Sequence, residues 1–146
     1  MSAASNKYQN WSSVVVTPSG GGAITVPEVI DLAVDATSPS LRFEGDRDAF
    51  ASLIRTPQKT RKVKITSSAI NVLATILEDT PCTIVGVLND LGNGTGTGAI
   101  TCTLTNAVRN AFRFSGKNNT VAAGSLEFEA YATDGQTDPL TISVAS

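Results

Sequence analysis

Glu127 and Glu129 are the carboxylates whose spacing most invites a functional reading. Two apart on a strand, they share one face. Nothing in the sequence makes them a glycosidase pair. The spacing fits either a solvent-facing strand or a strand lining an acidic channel. A second acidic group, Glu44-Gly45-Asp46-Arg47-Asp48, looks like half of a calcium loop. The later ligands of such a loop, including its closing glutamate, are missing, so a solvated turn or helix start is the better reading. Four alternating glycines, Gly92, Gly94, Gly96 and Gly98, bring a phosphate cradle to mind. That cradle needs a Lys-Ser/Thr pair and a following helix N-terminus. Here a strand pattern follows and no lysine is present, which makes the segment a hairpin tip. The chain has no histidine, which removes the commonest general base, the Ser-His and Cys-His pairings and the commonest transition-metal ligand. Cys82 and Cys102 have no nearby Cys or His and do not read as zinc ligands. Cys102 alternates with Ile100 and Leu104, as a small core residue would. Trp11 is the only tryptophan and reads as a packing anchor. The residues point to no cofactor, no metal and no enzymatic activity.

Composition narrows the class further. A chain of 146 residues suits one domain, here taken as 1–146, with a core large enough to need no disulfide or metal. Hydrophobic residues make up 41% and charged residues 16%, a folded rather than a disordered balance. The net charge of −2 does not suggest tight nucleic-acid binding, which requires clustered Lys and Arg. The one basic run, Lys59-Thr60-Arg61-Lys62-Val63-Lys64, contains no aromatic residue for base stacking and reads as a solvated strand edge or a subunit contact. Residues 1–7 lack the apolar core of a signal peptide, and no stretch approaches a membrane span. Synthesis and folding in a reducing cytosol are therefore expected, and two cysteines fit that compartment. The sequons at Asn10, Asn93 and Asn118 are then accidental.

Period-2 alternation dominates the chain and predicts strands. The segments are 11–17, 29–36, 41–44, 62–66, 82–88, 99–107, 124–132 and 140–144, with 108–114 continuing as a bent strand. Residues 82–88 and 99–107 form a hairpin around the Gly-rich tip at 89–98. On 124–132, Leu126, Phe128 and Ala130 take one face, with Glu127, Glu129 and Tyr131 on the other. Residues 67–77 break the pattern. Ile70, Leu73, Ile76 and Leu77 have helical spacing, Ser67 or Ser68 is placed to cap, and Pro81 follows. A second short helix is predicted over 46–54, stopped by Pro57. The expected architecture is mainly β: a β-sandwich or barrel with one packed α-helix. Residues 1–10 are a possible N-terminal arm and 40–60 a long loop.

Four stretches give the chain a family likeness. They are the basic strand Thr60-Arg61-Lys62-Val63-Lys64-Ile65-Thr66 before the helix, and Thr83-Ile84-Val85-Gly86-Val87-Leu88-Asn89-Asp90 leading to the tip. The third is the tip itself, Gly92-Asn93-Gly94-Thr95-Gly96-Thr97-Gly98, with Ala99 to Ala107 after it. The fourth is Ser125-Leu126-Glu127-Phe128-Glu129-Ala130-Tyr131-Ala132-Thr133-Asp134-Gly135, running on through Thr137-Asp138-Pro139-Leu140 to the closing strand. In this order they resemble the major tail tube proteins of long-tailed bacteriophages over roughly residues 60–144. Residues 1–59 match only in general character.

The resemblance implies a structural virion protein, assembled in the host cytoplasm into the tail. Subunits would form hexameric rings whose strands join a ring-wide inner β-barrel, and the rings would stack into a tube. DNA would pass through an acidic lumen without specific binding. Glu127 and Glu129, with Lys62 and Lys64, are the lumen-facing candidates. Asp46, Arg47, Asp48, Asn89, Asp90, Asn93, Thr95 and Thr97 are the candidates for contacts between subunits or rings. Implied partners are further copies of the chain, a tape measure protein, a tail terminator and distal tail or baseplate proteins. The tip, the 40–60 stretch and the N-terminal arm are expected to order on stacking, at an entropic cost that holds back premature polymerisation. The competing readings are another tail component (a tube terminator or distal tail protein), a type VI-like secretion tube ring, and a β-sandwich carbohydrate-binding or adhesin domain.

Overall fold

A computed structural model describes residues 9–43, 45, 50, 53–55, 59–90 and 99–144. The chain is mainly β, as its alternation predicts. Ten strands are described: β1 (Gln9–Pro18), β2 (Ile24–Thr25), β3 (Val29–Thr37), β4 (Leu41–Phe43), β5 (Leu53–Arg55), β6 (Thr60–Ser67), β7 (Cys82–Asp90), β8 (Ile100–Ser115), β9 (Ala123–Ala130) and β10 (Leu140–Val144). One short helix, α1 (Ile70–Leu73), sits between β6 and β7.

Eight strands make one antiparallel sheet in the order β2-β1-β7-β8-β9-β6-β3, with β10 also on β8; β4 and β5 pair separately. The sheet is open, not a closed barrel. It turns through β8, whose 16 residues serve both halves. Ile100 to Ala107 pairs with β7, and β10 lies along Ile100 to Leu104. From Ala107 to Ser115 the partner is β9. Asn106, at the changeover, has a φ of 53°, a left-handed conformation that asparagine tolerates better than most residues.

Because of this turn, both halves contribute to one core. Val14 and Val16 from β1, Ile84 from β7 and Leu104 from β8 meet Leu32 from β3, Val63 and Ile65 from β6, and Leu126 and Phe128 from β9. The halves approach each other closely at Gly86, where a Cβ would lie 2.5 Å from Leu32 Cδ2 and 3.0 Å from the Trp11 ring. Trp11 packs against the core there, as an anchor should.

The predicted helix over 67–77 is much shorter in the structure. The N-cap position is Ala69, and no side chain caps the helix. Ser67 belongs to β6; its hydroxyl donates to the Pro27 carbonyl (2.6 Å) and accepts from the Ala69 N–H (3.0 Å). After Ala74 the hydrogen bonds tighten to three-residue spacing, Thr75 to Val72 and Ile76 to Leu73. Leu73 and Ile76 are fully buried, as their spacing predicts, whereas Leu77 is exposed. The predicted helix over 46–54 is not supported where it can be seen, because Leu53 and Ile54 belong to β5, paired with β4. Its other positions, Phe50 aside, lie outside the described residues. The 40–60 stretch, expected as a loop, therefore carries a small two-stranded sheet.

Candidate functional site

Glu127 and Glu129 project from β9 on the face away from the core, since Leu126 and Phe128, which alternate with them, are fully buried. Antiparallel register fixes their neighbours. Lys62 lies opposite Glu129 and Lys64 opposite Glu127. On the far side of β6, Asp35 is opposite Lys62 and Ala33 opposite Lys64. On the far side of β9, Ala111 is opposite Glu127 and Val108 opposite Glu129. All four lumen candidates thus share one face of the β3-β6-β9-β8 half of the sheet.

That face is a ladder of alternating sign rather than a uniformly acidic wall. Lys62 Nζ is 3.9 Å from Glu129 Oε1. Arg113 Nη1 donates to Glu127 Oε2 at 2.6 Å. Asp35 accepts from the Thr37 hydroxyl at 2.6 Å. Asp31, Asp35, Glu127 and Glu129 stand against Lys62, Lys64 and Arg113. Pairs this exposed add little to stability, so the ladder reads as a surface property.

The turn after β9 forms a second charged region, which residue spacing did not single out as a site. Arg61 on β6 grips Asp138 through two parallel hydrogen bonds, Nε to Oδ1 (3.0 Å) and Nη2 to Oδ2 (3.1 Å). The bonded Arg61 side chain, helped by the Leu140 N–H, holds the Asp138 carboxyl below its ordinary range. Asp134 accepts from the Thr137 hydroxyl and from the Thr137 and Gln136 backbone N–H groups. With the Thr137 hydroxyl as the leading cause, its pKa is lowered to about 2. Both carboxylates are tied into the turn and fix where β10 begins. A shallow cavity beside them is lined by Lys59, Arg61, Tyr131, Gln136 and Pro139.

Arg109 supplies a third charged contact, also unforeseen. It points to the core side of β8, donates to the Ile76 carbonyl at 2.9 Å and stands over the Phe112 ring. It closes the tight turn after α1. Cys82 is buried and Cys102 half-buried; both are free thiols whose pKa burial raises. Among the described residues no group of three or more His, Cys, Asp or Glu could hold a metal, and no helix is long and apolar enough to cross a membrane.

Asn89 and Asp90 end β7, where they pair with Asn10 and Gln9 of β1. Asp46, Arg47, Asp48, Asn93, Thr95 and Thr97 lie outside the described residues.

No protein-family model matches the chain, and no curated protein matches it in sequence. Its fold does match solved structures. A chain of the PVC sheath–tube complex, an extracellular contractile injection system in its extended state, aligns with a TM-score of 0.60 and 13% identity over 99% of both chains. A chain from the anti-feeding prophage cap, the AFP tube terminating cap, aligns with a TM-score of 0.57 and 16% identity, over 90% of this chain and 88% of that one. A chain from the PVC sheath/tube terminator aligns with a TM-score of 0.53 and 15% identity, over 90% of this chain and 94% of that one. At these identities the likeness is one of fold.

Proposed function

We propose that the protein is a structural, ring-forming subunit of a tail-type tube, without catalytic activity, whose stacked hexameric rings carry DNA through their lumen. The observation that carries this reading is the end-to-end match with a chain of the PVC sheath–tube complex, which leaves almost none of either chain unaligned. The element order that resembles phage tail tube chains supports it independently. So does the charged outer face of the β3-β6-β9-β8 half, on which Glu127, Glu129, Lys62 and Lys64 come together. In the tube this face is the lumen wall. Its mixed charge hydrates the wall, while the carboxylates discourage a polyanion from settling on it.

The matched structures belong to contractile injection systems and include tube-ending caps. A tube-terminating ring is therefore the second reading, in which the protein forms a single ring and stops. Negative-stain microscopy of the concentrated protein separates the two. Tubes that lengthen with concentration support the tube subunit, and discrete rings support the cap. A chain that stays monomeric at every concentration overturns both.

A further inference from the structure

We infer that the outer face of the β3-β6-β9-β8 half carries a binding site for a phosphate oxyanion of a nucleic-acid backbone, formed by Lys64, Thr66, Arg113, Ser115 and Ser125. The inference deepens the reading above, on which the identity of the polyanion rests, by assigning the place on the wall where it is touched. A shallow depression of about 270 Å³ lies between these residues, and among the described residues no carboxylate lines it. Register brings the five together. Thr66 of β6 is opposite Ser125 of β9, and Ser125 is opposite Arg113 of β8. Ile65 and Leu126 are fully buried, so Thr66 and Ser125 turn outward. Lys64 and Ser115 stand two positions along from Thr66 and Arg113 and so share their face. Neighbours across a strand pair are about 5 Å apart at Cβ. A group resting over Ser125 is therefore within reach of the hydroxyls and cations around it.

The donors are available. Among the described residues, no ion pair or hydrogen bond engages the Lys64 ammonium or the hydroxyls of Thr66, Ser115 and Ser125. Lys64 lies opposite Glu127 in register, but that carboxylate is taken by Arg113 Nη1 at 2.6 Å. The Arg113 side chain is 69% exposed, and a guanidinium with five N–H donors keeps others to offer. Lys64, Arg113 and Glu127 together leave one positive charge beside the depression. Asp31 is opposite Thr66 on β3, on the side away from Ser125.

This donor set selects the ligand. A carboxylate is satisfied by a single forked cation. A phosphate presents oxygens in several directions, which suits a guanidinium on one side, an ammonium on another and hydroxyls beneath. The depression is also roomier than one phosphate group requires, which leaves space for the sugars on either side of a phosphodiester. Lys, Arg, Ser and Thr are the side chains that hold nucleic-acid backbones, and such contacts carry no sequence information. The site therefore gives a passing strand a foothold without a preferred sequence. The other end of the same face, where Asp35 and Glu129 flank Lys62, has the opposite charge balance.

Amide chemical-shift titration of the isotope-labelled chain, at low salt and below the concentration at which rings form, tests the site. The probes are a short oligothymidylate and, as its competitor, inorganic phosphate. The oligonucleotide should shift the amides of Thr66, Ser115 and Ser125 to saturation, and inorganic phosphate should reverse those shifts. Lys64→Gln and Arg113→Gln should each weaken binding on the order of fivefold and lower the slope of log affinity against log salt by about 0.7. Ser125→Ala, which leaves every charge in place, should weaken it as well, which general attraction to a cationic surface would not produce. Lys59→Gln, a change just before the opposite end of β6, should alter neither affinity nor slope. No shift at all, shifts scattered over the surface, or Lys59→Gln acting as strongly as Lys64→Gln would overturn the site. Bound inorganic phosphate that the oligonucleotide cannot displace would overturn the backbone as its source. Each of these failures leaves the tube reading standing, because microscopy of the assembled protein decides that reading. A chain that saturates with the oligonucleotide yet never forms rings overturns the tube reading and keeps the site.

Discussion

At the scale of single residues, the two positions with the clearest consequences are Gly86 and Asp134. Gly86 is buried on the core face of β7, where Leu32 and Trp11 from other strands close over it. Gly86→Ala forces Leu32 aside and should cost about 1–3 kcal/mol, as overpacking a filled core does. Urea unfolding measures it, and an unchanged midpoint would refute the close approach. Asp134 is governed by its hydrogen bonds. The folded carboxyl sits at about 2, below the ordinary 3.8. A lowered folded pKa means the contribution is fully present above the unfolded value and disappears as pH falls through the folded one. Thermal midpoints taken downward from about pH 4 should therefore drop more steeply for the wild type than for Asp134→Asn. Parallel acid profiles would show that the turn bonds do not form in solution. The cysteines are quieter: burial keeps both thiols protonated and poorly nucleophilic.

At the scale of elements, alternation was a sufficient guide wherever one face is buried. Leu126 and Phe128 against Glu127 and Glu129 announce β9, and the lumen candidates fall on a single face for the same reason. The bend in β8 was visible as two adjoining alternating runs. β2 was not visible, because two residues, Ile24 and Thr25, are too few to show a period. The helix over 67–77 was overestimated because Ile70, Leu73 and Ile76 satisfy a tight turn as well as they satisfy a helix. What fixes α1 is packing, with Leu73 Cδ1 only 3.3 Å from where a Cβ on Gly124 would lie. An isolated turn this short has no stability of its own. Leu73→Ala should therefore lose about 2–5 kcal/mol of global stability by opening a cavity. A loss confined to local exchange of the 70–76 amides, with no shift in the denaturation midpoint, would contradict that account. The Arg61–Asp138 and Arg109–Ile76 contacts were not legible, because each joins residues far apart in the chain that only the folded register brings together.

At the scale of the whole molecule, one sheet that bends back on itself gives two faces with separate work. The inner face of each half holds the chain together, and the outer face of the β3-β6-β9-β8 half presents charge. One shared core implies one unfolding transition. Trp11, packed beside Gly86 where the halves meet, reports on that junction by fluorescence. Its transition should coincide with the loss of strand signal by far-UV circular dichroism, and separate midpoints would mean that the halves unfold independently. The turn of β8 at Asn106 also bears on the order in which the molecule comes together. β7, β8 and β9 follow one another in the chain, so their pairing closes comparatively short loops, while β1 must find β7 across more than sixty positions. Short loops close at lower entropic cost. The bent β8 is then an early scaffold: it presents one flank to β7 and the other to β9, and the N-terminal strands add to a frame whose curvature has already been set.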